Sequence, residues 1–304
     1  MSPLDKVDAV GTVDALDRVS FAGQASPVDE ARPVDPVNLF ENQVVVVTGG
    51  GRGIGAAYAR MFAGQGARVV VNDLDGDAAA ESAATVGGVA VAGDASTEAG
   101  VGELIGAAAG LAGPVDVYCA NAGVARSGLV DVPEKAWEVS WQVNVMAHVR
   151  ASRVLIPQWV SRGHGMFIST VSAAGLLTIP GAAPYAVSKH AAFAYAEWLM
   201  MTYRDAGVRV HAVCPQGVRT QMLENSGPAG KALMEESAIE ADDVAAALLA
   251  AIVAEQFLVL PHPEVGAMYA GRAADPDRWL KGMRRQSTSL PSDWTPAGQP
   301  ARRT

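Results

Sequence analysis

The stretch Val44-Val-Val-Val-Thr-Gly-Gly-Gly-Arg-Gly-Ile-Gly55, running on into Ala56-Ala-Tyr-Ala-Arg-Met-Phe-Ala63, decides the fold. Successive valines with no polar alternation suit a strand buried on both faces of a parallel sheet. The glycines end that strand, and a helical pattern follows at once. In such a strand–turn–helix unit, glycines let the main chain approach a pyrophosphate, which then lies on the N–H groups at the helix start. Gly49, Gly53 and Gly55 are spaced Gly-x-x-x-Gly-x-Gly rather than Gly-x-Gly-x-x-Gly. Arg52 and Ile54 complete this candidate dinucleotide-binding turn.

The pattern then repeats. Arg68-Val-Val-Val-Asn predicts a second strand ending at Asp73, 18 residues past Gly55. A carboxylate there can accept hydrogen bonds from the hydroxyls of an adenosine ribose and would repel a 2′-phosphate. Arg52 pulls the other way, since a guanidinium can pair with that phosphate. We rank Asp73 above Arg52 and therefore expect NAD rather than NADP. Helices over 75–84 and 102–112 alternate with strands over 89–94 and 115–119. Asp94 reads either as an adenine-edge contact or as a plain helix cap. The small residues of Asn121-Ala-Gly123 would let a cofactor lie against the sheet. Alternating strands and helices predict an α/β fold, a doubly wound parallel sheet flanked by helices. Its ligands belong at the carboxyl ends of the strands.

Further along, Tyr185-Ala-Val-Ser-Lys189 places a phenol and an ammonium one helical turn apart on one face. A free tyrosine titrates near ~10, too high for efficient proton transfer at neutral pH. A neighbouring lysine favours the phenolate. Ser172, thirteen residues upstream at the end of an apolar run, offers a hydroxyl to a substrate oxygen. A long helix is expected over 133–159, with Trp137, Trp141, Asn144 and His148 on one stripe. His148 reads as structural.

In this order, Thr48-Gly-x-x-x-Gly-x-Gly, Asn121-Ala-Gly, Asn144, Ser172 and Tyr185-x-x-x-Lys189 resemble the short-chain dehydrogenase/reductase family over about residues 42–263. The resemblance implies a single Rossmann-like domain and an oxidoreductase. It implies Tyr185 as general acid/base and Lys189 as the residue that binds the nicotinamide ribose and lowers the tyrosine pKa. Ser172 would orient the substrate oxygen, and Asn144 would hold a water linking the lysine to solvent. Pro215, Val218 and Thr220 match the segment that meets the nicotinamide carboxamide. Gln216 departs from the usual glycine and puts a polar side chain at the mouth of the site. Residues 217–240 read as a substrate lid, with Met222, Leu223 and Met234 as an apolar pocket wall. Homo-oligomer formation is also implied, through the helices at 134–159 and 185–205.

Composition bounds the rest. The 304 residues are half hydrophobic and carry a net charge of −9, which argues against nucleic acid or an anionic membrane as partner. Cys119 and Cys214 lie in apolar runs and read as buried thiols. The histidines show no metal-ligand spacing, so no metal is expected. Without a leader-like start or a membrane-length apolar run, a cytoplasmic location is expected. Residues 1–38, polar and rich in Pro and Val-Asp, read as an extended or disordered arm. Residues 39–263 form the domain, and 264–304 a C-terminal helix and tail. The expected function is NAD(H)-dependent interconversion of a secondary alcohol and a ketone, on an apolar or cyclic substrate. An NADP(H)-dependent ketone reductase and a non-catalytic dinucleotide sensor are the alternatives.

Overall fold

The valine run forms β1 (Val44–Thr48), and every residue of it is buried. Val44 and Val46 enter one core, Val45 and Val47 the other, because successive side chains of a strand point to opposite faces. That alternation places β1 at the centre of the molecule. It pairs in parallel with β2 (Arg68–Asp73) on one side and β4 (Val115–Ala120) on the other. The computed structural model describes residues 38–288 and Leu290. The expected N-terminal arm, Asn38 apart, and the end of the tail lie outside the described residues.

With β3 (Val89–Ala92), β5 (Gly165–Thr170), β6 (Val208–Val213) and β7 (Leu258–Val259), the sheet runs β3-β2-β1-β4-β5-β6-β7. Every ladder is parallel. The order reverses between β1 and β4, which opens a crevice at their carboxyl ends. Helices α1 (Gly53–Gly64), α2 (Gly76–Thr85) and α3 (Glu98–Leu111) follow the first three strands.

The helix expected over 133–159 is present but changes pitch. Helix α4 (Glu134–Trp141) passes through a π turn, Gln142–Met146, into α5 (Ala147–Arg162). The wider turn rotates everything beyond it. Asn144 and His148 are therefore buried, whereas Trp137 and Trp141 are 37% and 44% exposed. The four do not share one stripe.

Beyond β5 come α6 (Ala174–Leu177) and α7 (Ala183–Tyr203), the latter with Pro184 in its first turn. After β6 the expected lid holds α8 (Gln221–Glu224) and α9 (Gly227–Met234). Helix α10 (Ala241–Val253) opens on a capping box between Glu240 and Asp243. The C-terminal region holds two helices where one was expected, α11 (Glu264–Ala274) and α12 (Pro276–Ser287). Asp275 ends the first, and its carboxylate accepts the Arg278 N–H at the start of the second.

Trp159 ties α5 to the sheet. It is fully buried and donates its indole N–H to Val115 O at 2.8 Å. A Cβ on Gly165 would lie 2.1 Å from its ring, so this glycine makes the close approach possible. Trp159→Ala should cost about 3–5 kcal/mol of stability, read as a fall in the urea midpoint at constant slope. A loss below ~1 kcal/mol would mean that the core closes over the gap.

Candidate active site

The Gly-rich turn is held against the end of β4 by two side chains. Thr48 Oγ1 donates to Cys119 O and accepts the N–H groups of Asn121 and Ala122, at 3.0–3.1 Å. The Asn121 amide donates in return to Thr48 O and Gly49 O. Gly49 and Gly53 have φ of 58° and 53°, the left-handed region where a side chain is strained. A Cβ on Gly55 would sit 2.1 Å from Gly49 O. The bare main chain at the start of α1 is therefore a cradle with no side chain over it, and it fits a dinucleotide pyrophosphate.

At the end of β2, Asp73 is fixed at both oxygens, by Gly51 N–H at 3.0 Å and Asp75 N–H at 3.1 Å. Arg52 is drawn instead to Asp75, 2.5 Å away. The pairing raises the guanidinium pKa and lowers that of the Asp75 carboxyl. Asp75, which the sequence reading passed over, thus takes up the cation that opposed Asp73. Asp94 is exposed at the cleft edge, and its carboxylate accepts Ser96 N–H at 2.9 Å. The cap of α3 is Thr97, not Asp94.

The other end of the cleft gathers Tyr185, Lys189 and Ser172. Lys189 is buried, and its ammonium donates to Thr170 O at 2.9 Å. Burial pulls its pKa down to about 8, with Cys214 acting the other way. The Ser172 hydroxyl donates to Pro215 O at 3.4 Å, accepts Ala174 N–H at 3.1 Å and faces the Tyr185 phenol. The phenol stands above its ordinary pKa. Burial is the main cause, the neighbouring Ser172 hydroxyl opposes it and Cys214 adds to it. The lowering expected from Lys189 does not prevail in the protein alone, where its ammonium lies 5.8 Å from the centre of the tyrosine ring.

Asn144 stands behind this wall, in the π turn. Its Oδ1 accepts Val124 N–H, and its Nδ2 donates to Val124 O and to Ser188 Oγ, each at 2.9 Å. Its two N–H groups thus tie the strand-end loop to Ser188 of α7. A Cβ on Gly123 would reach 3.4 Å from both Asn144 Oδ1 and Lys189 Nζ. His148 is neutral, driven down to about 3 by burial and then by the Lys189 charge. Its Nδ1 faces Ser169 Oγ at 3.1 Å.

Of the site residues read from the sequence, all but Gly55 and Asn144 line one cleft of about 1530 Å³. That exceeds the ~300–1,000 Å³ usual for one ligand, as a dinucleotide and a second molecule side by side require. Gln216, Met222 and Leu223 line it as expected. The sequence reading missed the far wall, where Met268 of α11 and Trp279 and Met283 of α12 face the cleft. The signal was the four-residue spacing of Trp279 and Met283 beyond a proline, in a stretch read as a C-terminal helix and given no role at the site. Among the described residues, no helix is long and apolar enough to cross a membrane.

The family model for short chain dehydrogenases matches residues 43–230. The chain belongs to the short-chain dehydrogenase family. It is 35% identical over 239 residues to 1-deoxy-11-beta-hydroxypentalenate dehydrogenase of Streptomyces exfoliatus, covering 74% of this chain and 85% of that one. It is 35% identical over 184 residues to 2-(S)-hydroxypropyl-CoM dehydrogenase 3 of Xanthobacter autotrophicus, covering 59% and 72%. A short-chain dehydrogenase/reductase from Burkholderia phymatum, solved with NAD, superposes with a TM-score of 0.72 at 29% identity, over 79% of this chain and 95% of that one. As a short-chain dehydrogenase, the protein is an oxidoreductase that takes a nicotinamide dinucleotide. Its seven-stranded parallel sheet is the Rossmann-like architecture expected from the sequence.

Buried Lys189 has a consequence for stability. Its folded pKa is depressed from 10.5 to about 8, so between those values the unfolded chain holds the extra proton. The burial cost is then full below pH 8 and is relieved as pH rises toward 10.5. Relative to Lys189→Met, the parent should gain on the order of 2–3 kcal/mol of unfolding free energy from pH 7 to 10. Urea titrations of both proteins at each pH measure this. A constant difference would mean that the ammonium is not desolvated.

Proposed function

We propose that the protein is an NAD(H)-dependent oxidoreductase that interconverts a secondary alcohol and a ketone, with Tyr185 as general acid/base. One observation carries the reading. Tyr185, Ser172 and Lys189 meet at one end of the cleft that the Gly-rich cradle and Asp73 close at the other. The Ser172 hydroxyl, which lines the same end of the cleft as the phenol, holds the substrate oxygen beside it. Tyr185 gives that oxygen its proton in reduction and removes it in oxidation. Lys189, a buried cation held by a main-chain carbonyl, favours the phenolate when the base form is needed. A bound nicotinamide supplies the hydride donor or acceptor. Asn144 serves by holding the Gly123–Val124 main chain, and its water-binding role falls to its own main chain in the π turn.

The pairing of Arg52 with Asp75 supports NAD over NADP, because it leaves the fixed Asp73 carboxylate unopposed at the ribose edge. Both relatives are named as dehydrogenases of hydroxy compounds, in keeping with a secondary alcohol. Met222, Leu223, Met268, Trp279 and Met283 around the substrate end favour an apolar or cyclic one. Trp137 and Trp141 of α4 and Trp198 of α7 remain exposed, which supports a homo-oligomer formed through these helices.

Two measurements test this reading. With a panel of cyclic and other apolar secondary alcohols, Tyr185→Phe should lose ~10²–10⁴-fold in kcat while still binding NADH. Turnover at the parent rate would move the proton transfer elsewhere. Asp73→Ala should shift the ratio of NADPH to NADH affinity toward NADPH by roughly tenfold or more. An unchanged ratio would remove Asp73 from cofactor selection.

A further inference from the structure

We propose that His262 is a positioning residue that fastens the cofactor-side loop and the substrate lid to each other through one imidazole. The proposal rests on the assignment of those two segments made above. His262 lies between Pro261 and Pro263, just before α11, and is 3% exposed. Both ring nitrogens are occupied by main chain. Nδ1 accepts the Gln216 N–H at 3.2 Å, and Nε2 donates to Ser237 O at 3.1 Å. The partners dictate the proton's position, because an N–H requires an acceptor and a carbonyl requires a donor. The ring is therefore the neutral Nε2–H tautomer. A proton on Nδ1 would set two donors against each other.

The two partners sit on functional segments. Gln216 follows Pro215, whose carbonyl accepts both the Ser172 hydroxyl and the Ala173 N–H. Ser237 follows α9 at the far end of the lid. Between them the lid has a short neck. Val218 bridges to Ile239, Arg219 N–H donates to Ile239 O at 2.9 Å, and Ile239 N–H donates to Gly217 O at 3.2 Å. A Cβ on Gly217 would lie 2.3 Å from Met234 O, so the neck closes only over a glycine. His262 clamps this neck from outside it. Its own carbonyl accepts Val265 N–H at 3.1 Å, which joins the clamp to the α11 wall. The flanking prolines restrict the backbone that carries the ring. Three walls of the substrate end thus meet at one residue, two of them at its side chain.

An asparagine amide can reproduce the Nδ1 acceptor, and a glutamine amide, one methylene longer, the Nε2 donor. This separates the two arms. With His262→Asn, NADH affinity by fluorescence titration should stay near that of the parent, while amide exchange over 221–234 speeds up. With His262→Gln, NADH binding should weaken roughly three- to tenfold, while lid exchange stays close to the parent's. His262→Leu should change both, and substrate KM should rise in the Asn variant more than kcat falls. Thermal melts of the Asn and Gln proteins establish that both are folded, so the comparison holds even if the Leu protein is not. If Asn and Gln change the two readouts alike, or if a folded Leu variant changes neither, His262 is not the clamp. Neither affinity nor exchange depends on turnover. Failure of the whole alcohol panel would sink the dehydrogenase reading and leave this test intact.

Discussion

A single hydroxyl spans the point on which the site depends. Thr48 ends β1 and Asn121 follows β4, and Thr48 Oγ1 binds the main chain of Cys119, Asn121 and Ala122 at the end of β4, tying one strand end to the other. The sheet order reverses there, so the adjoining crossovers leave to opposite faces and a crevice is left. Without those bonds the Gly-rich turn would not lie flush on the end of β4. A Cβ on Gly49 would meet Ala122 Cα at 2.9 Å, which shows how little room the contact leaves. Everything that recognises a cofactor is built on that contact.

The Tyr185 end of the cleft has a different character, because it carries costs that a purely structural core would avoid. Lys189 is buried with a main-chain carbonyl rather than a carboxylate as its partner. Beside it, His148 Nε2 and Thr170 Oγ1 are buried without hydrogen-bond partners among the described residues. Such groups destabilise a fold by ~1–3 kcal/mol each. They are tolerated here because the sheet beneath them is parallel, apolar and continuous from β4 to β6. A rigid floor keeps the residues above it in place despite those costs.

Much of this was legible in the chain. The valine run of β1, the glycines after it, Asp73 and the Tyr185–Lys189 spacing are short-range patterns, and short-range physics governs them. A strand buried on both faces must be apolar, a turn without room for Cβ must be glycine, and residues four apart on a helix share a face. The stripe from Trp137 to His148 failed for an equally physical reason. It assumed a constant helical period, and the π turn at Gln142–Met146 breaks it. Nor does the sequence show that folding presents the Asn144 side chain to the Val124 main chain, 20 residues away.

The sequence by itself determined the sheet, the Gly-rich cradle and the Tyr185–Lys189 pairing on one helix face, since each is encoded within a few residues. Only the tertiary structure decided which charges meet and which walls enclose the substrate. Arg52 has two carboxylates in reach along the chain, and the geometry of the turn after β2 gives it Asp75 rather than Asp73. The C-terminal helices join the cleft because α11 packs back over α6, where Arg272 donates to Leu176 O. His262 finds Gln216 and Ser237 at separations of 46 and 25 residues. No local period encodes pairings over such distances; they follow from where the sheet delivers each loop.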